Sequence, residues 1–199
     1  MQKRLGCVLL QGAMMAMLLT ALPLMAQEKP AAGVVRFPLE VAFIYDAAHS
    51  QTIGGTNFWM QGGGMQIEGR LTPNFGVVAD VTGTGVSQIG NTGVGLALVT
   101  ATFGPRYTWA PGHGRYAVYG QALAGDGFGF DSVFPANGGA TGSSYNLAVK
   151  AGGGMNLALT PRFAVRLFEA DWLRTELPNT GSSVQNNFQI GAGIVLRIR

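Results

Sequence analysis

The stretch NFQIGAGIVLRIR, residues 187–199, alternates with a period of two. One set of side chains is Phe188, Ile190, Ala192, Ile194, Leu196 and Ile198; the other is Asn187, Gln189, Gly191, Gly193, Val195 and Arg197. Successive residues of a strand point to opposite faces. This strand therefore presents one continuous apolar face and one face of Gly, amides and a cation, which call for different surroundings. Whether the apolar face looks toward a core or toward hydrocarbon decides the fold.

With 199 residues the chain has the length of one domain, yet only 12% of it is charged and 31 residues are Gly. A soluble domain carries charge on roughly a quarter of its residues, so part of this surface is matched to something other than water. Residues 1–26 read as a signal peptide, with Lys3 and Arg4 as the positive n-region, Val8 to Leu24 as the apolar h-region, and Leu24-Met25-Ala26 as the cleavage site before Gln27. A short periplasmic segment, residues 27–37, then leads into a domain of residues 38–199. Cys7 is the single cysteine, and because no h-region precedes it, lipoprotein processing is not expected. The exported chain would then be held without disulfides. The formal charge of +3 falls to about +1 without Lys3 and Arg4, and no nucleic-acid partner is indicated. No later segment holds eighteen consecutive apolar residues, so no second membrane helix is expected.

Eight alternating runs of roughly the length of a tilted membrane strand can be read along the chain. They are Pro38 to Ala47, Asn57 to Arg70, Phe75 to Thr82, Val94 to Thr108, Arg115 to Gly125, Tyr145 to Leu157, Arg162 to Thr175 and Gln185 to Arg199. The connections Ala48 to Thr56, Gly83 to Gly93, Asp126 to Ser144 and Glu176 to Val184 are long and rich in Gly, Asn, Ser and Thr. Those at Leu71 to Asn74, Ala110 to Gly114 and Ala158 to Pro161 are tight and contain the Pro and Gly that set turn dihedrals. Long and short alternate strictly, as in an up-and-down meander with one end outside the cell and the other in the periplasm. The clusters Gly62-Gly63-Gly64 and Gly152-Gly153-Gly154 argue against helix, where each Gly costs about 1 kcal/mol. The fold class expected is all-β: an eight-stranded antiparallel up-and-down transmembrane β-barrel.

The apolar parity, assigned outward, holds Leu39, Val41, Phe43 and Tyr45 in the first run, Phe75, Val77, Ala79 and Val81 in the third, and Val99, Ala101, Phe103 and Tyr107 in the fourth. Tyr45, Trp59, Tyr107, Tyr116 and Tyr145 fall near run ends, as interfacial girdles do. The opposite parity holds Glu40, Glu68, Asp80, Arg106, Gln121, Lys150, Asn156, Arg166 and Arg197. A cation facing lipid at mid-bilayer costs roughly 2–4 kcal/mol, so these residues belong in the lumen. An eight-stranded barrel is filled by its own side chains. Glu40, Glu68, Asp80, Arg106, Lys150, Arg166 and Arg197 are therefore expected to form a lumenal charge network, with Glu40 and Arg197 paired across the closing seam. Strict alternation from Arg166 would turn Glu169 and Asp171 outward; a β-bulge between Arg166 and Glu169 would return both to the lumen.

The run GPRYTW at 104–109, the segment AGGGMNLALTPRFAVRLFEADWLRT at 151–175 and NNFQIGAGIVLRIR at 186–199 together resemble the small eight-stranded outer-membrane barrels related to the OmpA transmembrane domain. The resemblance spans nearly all of the exported chain. It implies a lumenal-charge role for Arg166, Arg106 and Lys150, a setting of outer-membrane lipid and lipopolysaccharide in a Gram-negative cell envelope, and recognition of the C-terminal strand by the barrel-assembly machinery. Two departures stand out. The last strand reads Arg197-Ile198-Arg199 where such barrels carry a terminal aromatic, and the peptidoglycan-binding domain of full-length relatives does not follow, so no cell-wall tether is expected.

Some barrels of this size are enzymes acting on lipid A, and His49-Ser50 in the first long connection invites the comparison. A nucleophile and its base need a third group and a rigid frame, and neighbours in a Gly-rich loop have neither; His49 reads as a solvated loop residue and His113 as turn surface. The segment Gly125 to Asp131 lacks the acid spacing of a calcium loop and reads as flexible display. No cofactor, metal or catalytic residue is expected. The leading reading is a non-enzymatic anchor with a charge-plugged lumen and long loops available to an extracellular ligand. A narrow, porin-like conduit for small solutes is the second reading, a lipid A-modifying enzyme the third, and a soluble lipocalin-like barrel, with its apolar parity inward, the fourth.

Overall fold

The computed structural model describes residues 38–51, 57–111, 115–136, 139–178 and 184–198. The expected signal peptide, the 27–37 segment, His113 and Arg199 lie outside these residues. Eight strands follow one another: β1 (Leu39–Gln51), β2 (Asn57–Arg70), β3 (Phe75–Val86), β4 (Leu96–Trp109), β5 (Tyr116–Ala136), β6 (Gly139–Ala158), β7 (Phe163–Thr175) and β8 (Gln185–Ile198). Each pairs antiparallel with its neighbours in sequence, and β8 pairs back onto β1, so the sheet is a closed barrel. Closure leaves no unpaired sheet edge, the condition for a strand structure to exist in lipid.

The stagger of the barrel can be followed through its pairings. Pro38 is bonded to Arg70, which lies opposite Gly76; the path continues through Arg106, Gln121, Gly152, Asp171 and Gln189 and returns to β1 at Ala48, ten residues above Pro38. That offset tilts the strands and sets the width of a barrel this size, leaving room inside for side chains only.

Two of the tight connections share the pattern Leu-Thr-Pro-x-Phe, at Leu71 to Phe75 and Leu159 to Phe163. Their bonding is the same. The Leu and Thr amides both donate to the Phe carbonyl, at 2.9 and 3.0 Å in the first turn and 3.0 and 3.0 Å in the second. The Phe amide donates to Thr Oγ1, at 2.9 Å in the first turn and 3.0 Å in the second. Threonine supplies the acceptor and proline presets φ at a position where no amide donor is needed.

Several expected loops are strand instead. β1 runs through Ala48 to Gln51, β3 extends past Gly83 to Val86, and the expected connection Asp126 to Ser144 is almost entirely the paired ends of β5 and β6. Glycine-rich composition concealed the period: Gly127 and Gly129 face inward while Phe128 and Phe130 take the opposite face. Ladder hydrogen bonds are made by backbone and persist where side chains are small. Beyond Phe130 the hairpin register shifts before pairing resumes at Phe134, and Asp131 lies there with φ 55°.

Two irregularities interrupt the wall lower down. Pairing of β4 with β5 skips Gly104 and Pro105, and proline has no N–H to offer a central ladder. On β7 the register shifts between Arg166 and Glu169, and Leu167 and Phe168 both face outward. This β-bulge returns Glu169 and Asp171 to the interior, where both are buried.

Candidate functional site

The side chains sort by face. Phe43, Tyr45, Trp59, Ile67, Val77, Val81, Phe103, Tyr107, Val118, Trp172, Phe188, Ile190 and Ile194 are large, apolar and exposed. The buried set is mostly polar: Glu40, Asp46, Gln66, Glu68, Asp80, Arg106, Gln121, Lys150, Asn156, Arg166, Glu169 and Asp171 all point into the lumen. Burying ionised groups behind a greasy exterior is favourable only where the exterior meets hydrocarbon and the charges are paired.

At the short-turn end, Glu40 Oε1 lies 3.0 Å from Arg197 Nε and 3.0 Å from Arg70 Nη2. Glu40 and Arg197 face one another across the β1–β8 seam. Arg70 also lies 3.4 Å from Glu68, whose other oxygen is 3.1 Å from Arg106 Nη1.

Above this rim Gln66 is a four-way hub. Its Oε1 accepts from Arg106 and Arg166, each at 2.5 Å, and its Nε2 donates to Asp80 at 3.0 Å and to Glu169 at 2.8 Å. Arg166 bonds Glu169 at 2.6 Å and Asn156 at 3.1 Å. Arg106 also donates to Gln121, which passes the connection to Asp171 at 3.1 Å. The ring of Tyr119 lies under both guanidinium groups, 4.1 Å from Arg106 Cζ and 4.8 Å from Arg166 Cζ, and its hydroxyl donates to Glu169. A flat cation over an aromatic face gains attraction from the ring quadrupole, more so when water is excluded. Gly154 makes room for this ring: a Cβ there would stand 2.6 Å from the Tyr119 hydroxyl.

The highest charged layer joins β3 to β6 through Lys150 Nζ, 2.7 Å from Asp80 Oδ1 and 3.2 Å from Thr82 Oγ1. Both the Lys150–Asp80 and Gln66–Glu169 contacts therefore span the lumen between strands that are not adjacent in the wall. Above them the filling changes character. Ala48, Met60, Leu96, Leu98, Phe134, Ala148, Leu173 and Leu177 form a buried apolar cluster, with Phe58, Val86 and Ile89 packed on it. Phe134 reaches this cluster from the β5–β6 hairpin and packs over Gly129, where a Cβ would collide with its ring.

All seven charged residues expected in the lumen are buried or partly buried within it, and each has an ionic or hydrogen-bonded partner there. Asp46, Arg70, Gln66 and Tyr119 also line the lumen and are not among the seven. The first three share the parity of Glu40 and Glu68, and Tyr119 that of Gln121, although a tyrosine is equally typical of a membrane-facing position. His49 is a correction: it is not a loop residue but part of β1, half-buried on the outer face against Trp59, with ring centroids 5.0 Å apart. Ser50 is buried on the inner face, so strand alternation holds the two side chains on opposite sides of the wall. Among the described residues no group of three or more His, Cys, Asp or Glu is placed to hold a metal.

No protein-family model and no curated sequence matches the chain. Solved structures do. Neisserial surface protein A aligns over 80% of this chain and 97% of its own, with a TM-score of 0.62 at 13% identity. The attachment invasion locus protein Ail of Yersinia pestis aligns over 82% of this chain and 100% of its own, with a TM-score of 0.55 at 16% identity. OprG of Pseudomonas aeruginosa covers 82% and 96%, with a TM-score of 0.50 at 9% identity. The chain has the fold of the small eight-stranded outer-membrane barrels. An apolar exterior around a lumen that holds the charges is the arrangement this fold takes in a lipid setting.

Proposed function

We propose that this chain is a non-enzymatic protein of the outer membrane, an anchor whose lumen is closed by its own side chains and whose long-loop end faces outward. The observation that carries this reading is the cross-lumen hub of Gln66 with Arg106, Arg166, Asp80 and Glu169. A solute would have to break several charge-assisted bonds at once to pass it, and each leaves a buried group uncompensated. The apolar cluster at the mouth supports the same reading, since it adds a dry layer above the hub.

The test is planar-bilayer recording with the purified protein. A sealed barrel gives no discrete conductance, whereas steady single-channel openings in the wild type would replace this reading with the conduit. The lipid A-modifying reading is disfavoured by the opposite facing of His49 and Ser50; lipid A mass profiles should be identical with wild type, with His49→Ala and without the protein. For an external ligand the loops offer little cationic character. At that end Asp126 and Asp131 on β5 and Glu176 just after β7 are acidic, and residues 48–56, 83–93, 126–144 and 176–184 hold no Lys or Arg. Ail has been solved with the heparin analogue sucrose octasulfate; the loop composition here favours a ligand that is not polyanionic.

A further inference from the structure

The two rims of the barrel carry opposite charge. At the long-loop end the charged residues outside the lumen are Asp126, Asp131 and Glu176, with Arg174 3.7 Å from Glu176. At the short-turn end, among the described residues, the two acids are Glu40 and Glu68, both buried in the lumen and ion-paired. Arg115 and Arg162 are exposed there, and Arg70 and Arg197 are partly exposed. These arginines form one arc along the rim. Ala158 N donates to Arg115 O at 2.7 Å, placing the start of β5 beside the turn that holds Arg162, and Arg197 N donates to Arg162 O at 2.8 Å. Arg197 and Arg70 are then joined through Glu40.

The arc lies at the edge of the apolar exterior. Arg162 and Arg197, with Pro161 and Ile198, line an open recess of about 430 Å³. Leu159 and Phe163 are exposed at the turn that holds this recess, and Trp109 and Tyr116 are exposed at the Arg115 end of the arc. A guanidinium directly below a greasy wall suits one kind of partner, an amphiphile with a phosphate above its acyl chains. We propose that the short-turn rim is a binding site for anionic phospholipid of the periplasmic leaflet, with Arg115 and Arg162 holding the headgroup phosphate and the Pro161–Ile198 recess taking the glycerol and first methylenes. This inference rests on the membrane assignment proposed above, which sets the short turns toward the periplasm.

Site-resolved quenching tests it. The chain has three tryptophans; Trp59→Phe with Trp172→Phe leaves Trp109 beside the arc, and Trp59→Phe with Trp109→Phe leaves Trp172 on β7 as the loop-side reporter. Each protein is reconstituted in vesicles containing brominated phosphatidylglycerol or brominated phosphatidylethanolamine. Trp109 should show a preference of about 25-fold for phosphatidylglycerol, falling about fivefold for each of Arg115→Gln and Arg162→Gln until the double variant has lost it, while Trp172 shows no preference. Both arginines are exposed, so the variants should fold; heat-modifiable migration on detergent gels checks this.

Three results would overturn the site: equal preference at both tryptophans, a preference that survives the double substitution, or a preference abolished by inorganic phosphate, which would mean that the rim reads the anion and not the lipid. Absence of quenching by either brominated lipid would instead overturn the membrane assignment itself.

Discussion

The lower lumen is filled by Arg70, Arg106, Arg166, Glu40, Glu68, Glu169 and Gln66, tied by bonds across the barrel; the upper lumen is filled by Met60, Leu96, Leu98, Leu173, Leu177 and Phe134 in dispersion contact. Both fillings exclude solvent, but they answer to different physics. The charged layer is directional, and each member's cost of burial is offset only while its partners stay in place. The apolar layer is non-directional and can lose one member by leaving a cavity. The upper half also borrows Phe134 from a hairpin that continues beyond its ladder to β4, whereas every residue of the lower half is supplied by the barrel strands or their ends.

That contrast can be broken at a chosen residue. Arg166→Met should have the largest effect, about 3–5 kcal/mol lost in a urea equilibrium between lipid-inserted and unfolded protein, because it strands Glu169 in a buried site. Replacing Glu169 by Leu as well should recover part of that loss. A double variant worse than the single one would show that the layer does not behave as an ion network. Leu173→Ala should cost less, about 2–4 kcal/mol by the same measurement, as expected for a cavity in a fully buried site. If it cost more than Arg166→Met, the mouth would be the more cooperative half. The smallest effect belongs to Glu40→Gln at the wetter rim, where Arg70 and Arg197 are about one-fifth exposed. The expected loss there is below about 1 kcal/mol and shrinks further in high salt.

Much of this fold is legible in the chain. The period-two pattern of residues 57–70 locates β2 to the residue, and the Leu-Thr-Pro-x-Phe turns mark two of the short connections. Glu40 and Arg197 can be matched because closure makes the first and last strands neighbours, whatever the side chains. The segment 126–144 reads as loop because Gly, Ser and Thr are equally at home in loops and in the crowded ends of strands, and only the pairing of β5 with β6 makes it strand. Tyr119 shares the inward parity of Gln121, but a tyrosine in an alternating run is also a natural membrane-facing residue, and its part in the network shows only in its position beneath two guanidinium groups.

What the sequence by itself determined is facing, because alternation is a local property of extended backbone and the cost of an ionised group in hydrocarbon assigns one parity to the lumen. What only the tertiary structure decided is partnership and layering. Gln66 and Glu169 are separated by 103 residues, and they meet because a ten-residue stagger around eight strands carries distant positions to the same height. Contacts of that kind depend on the summed offsets of every pairing in the wall, and no single strand encodes that sum.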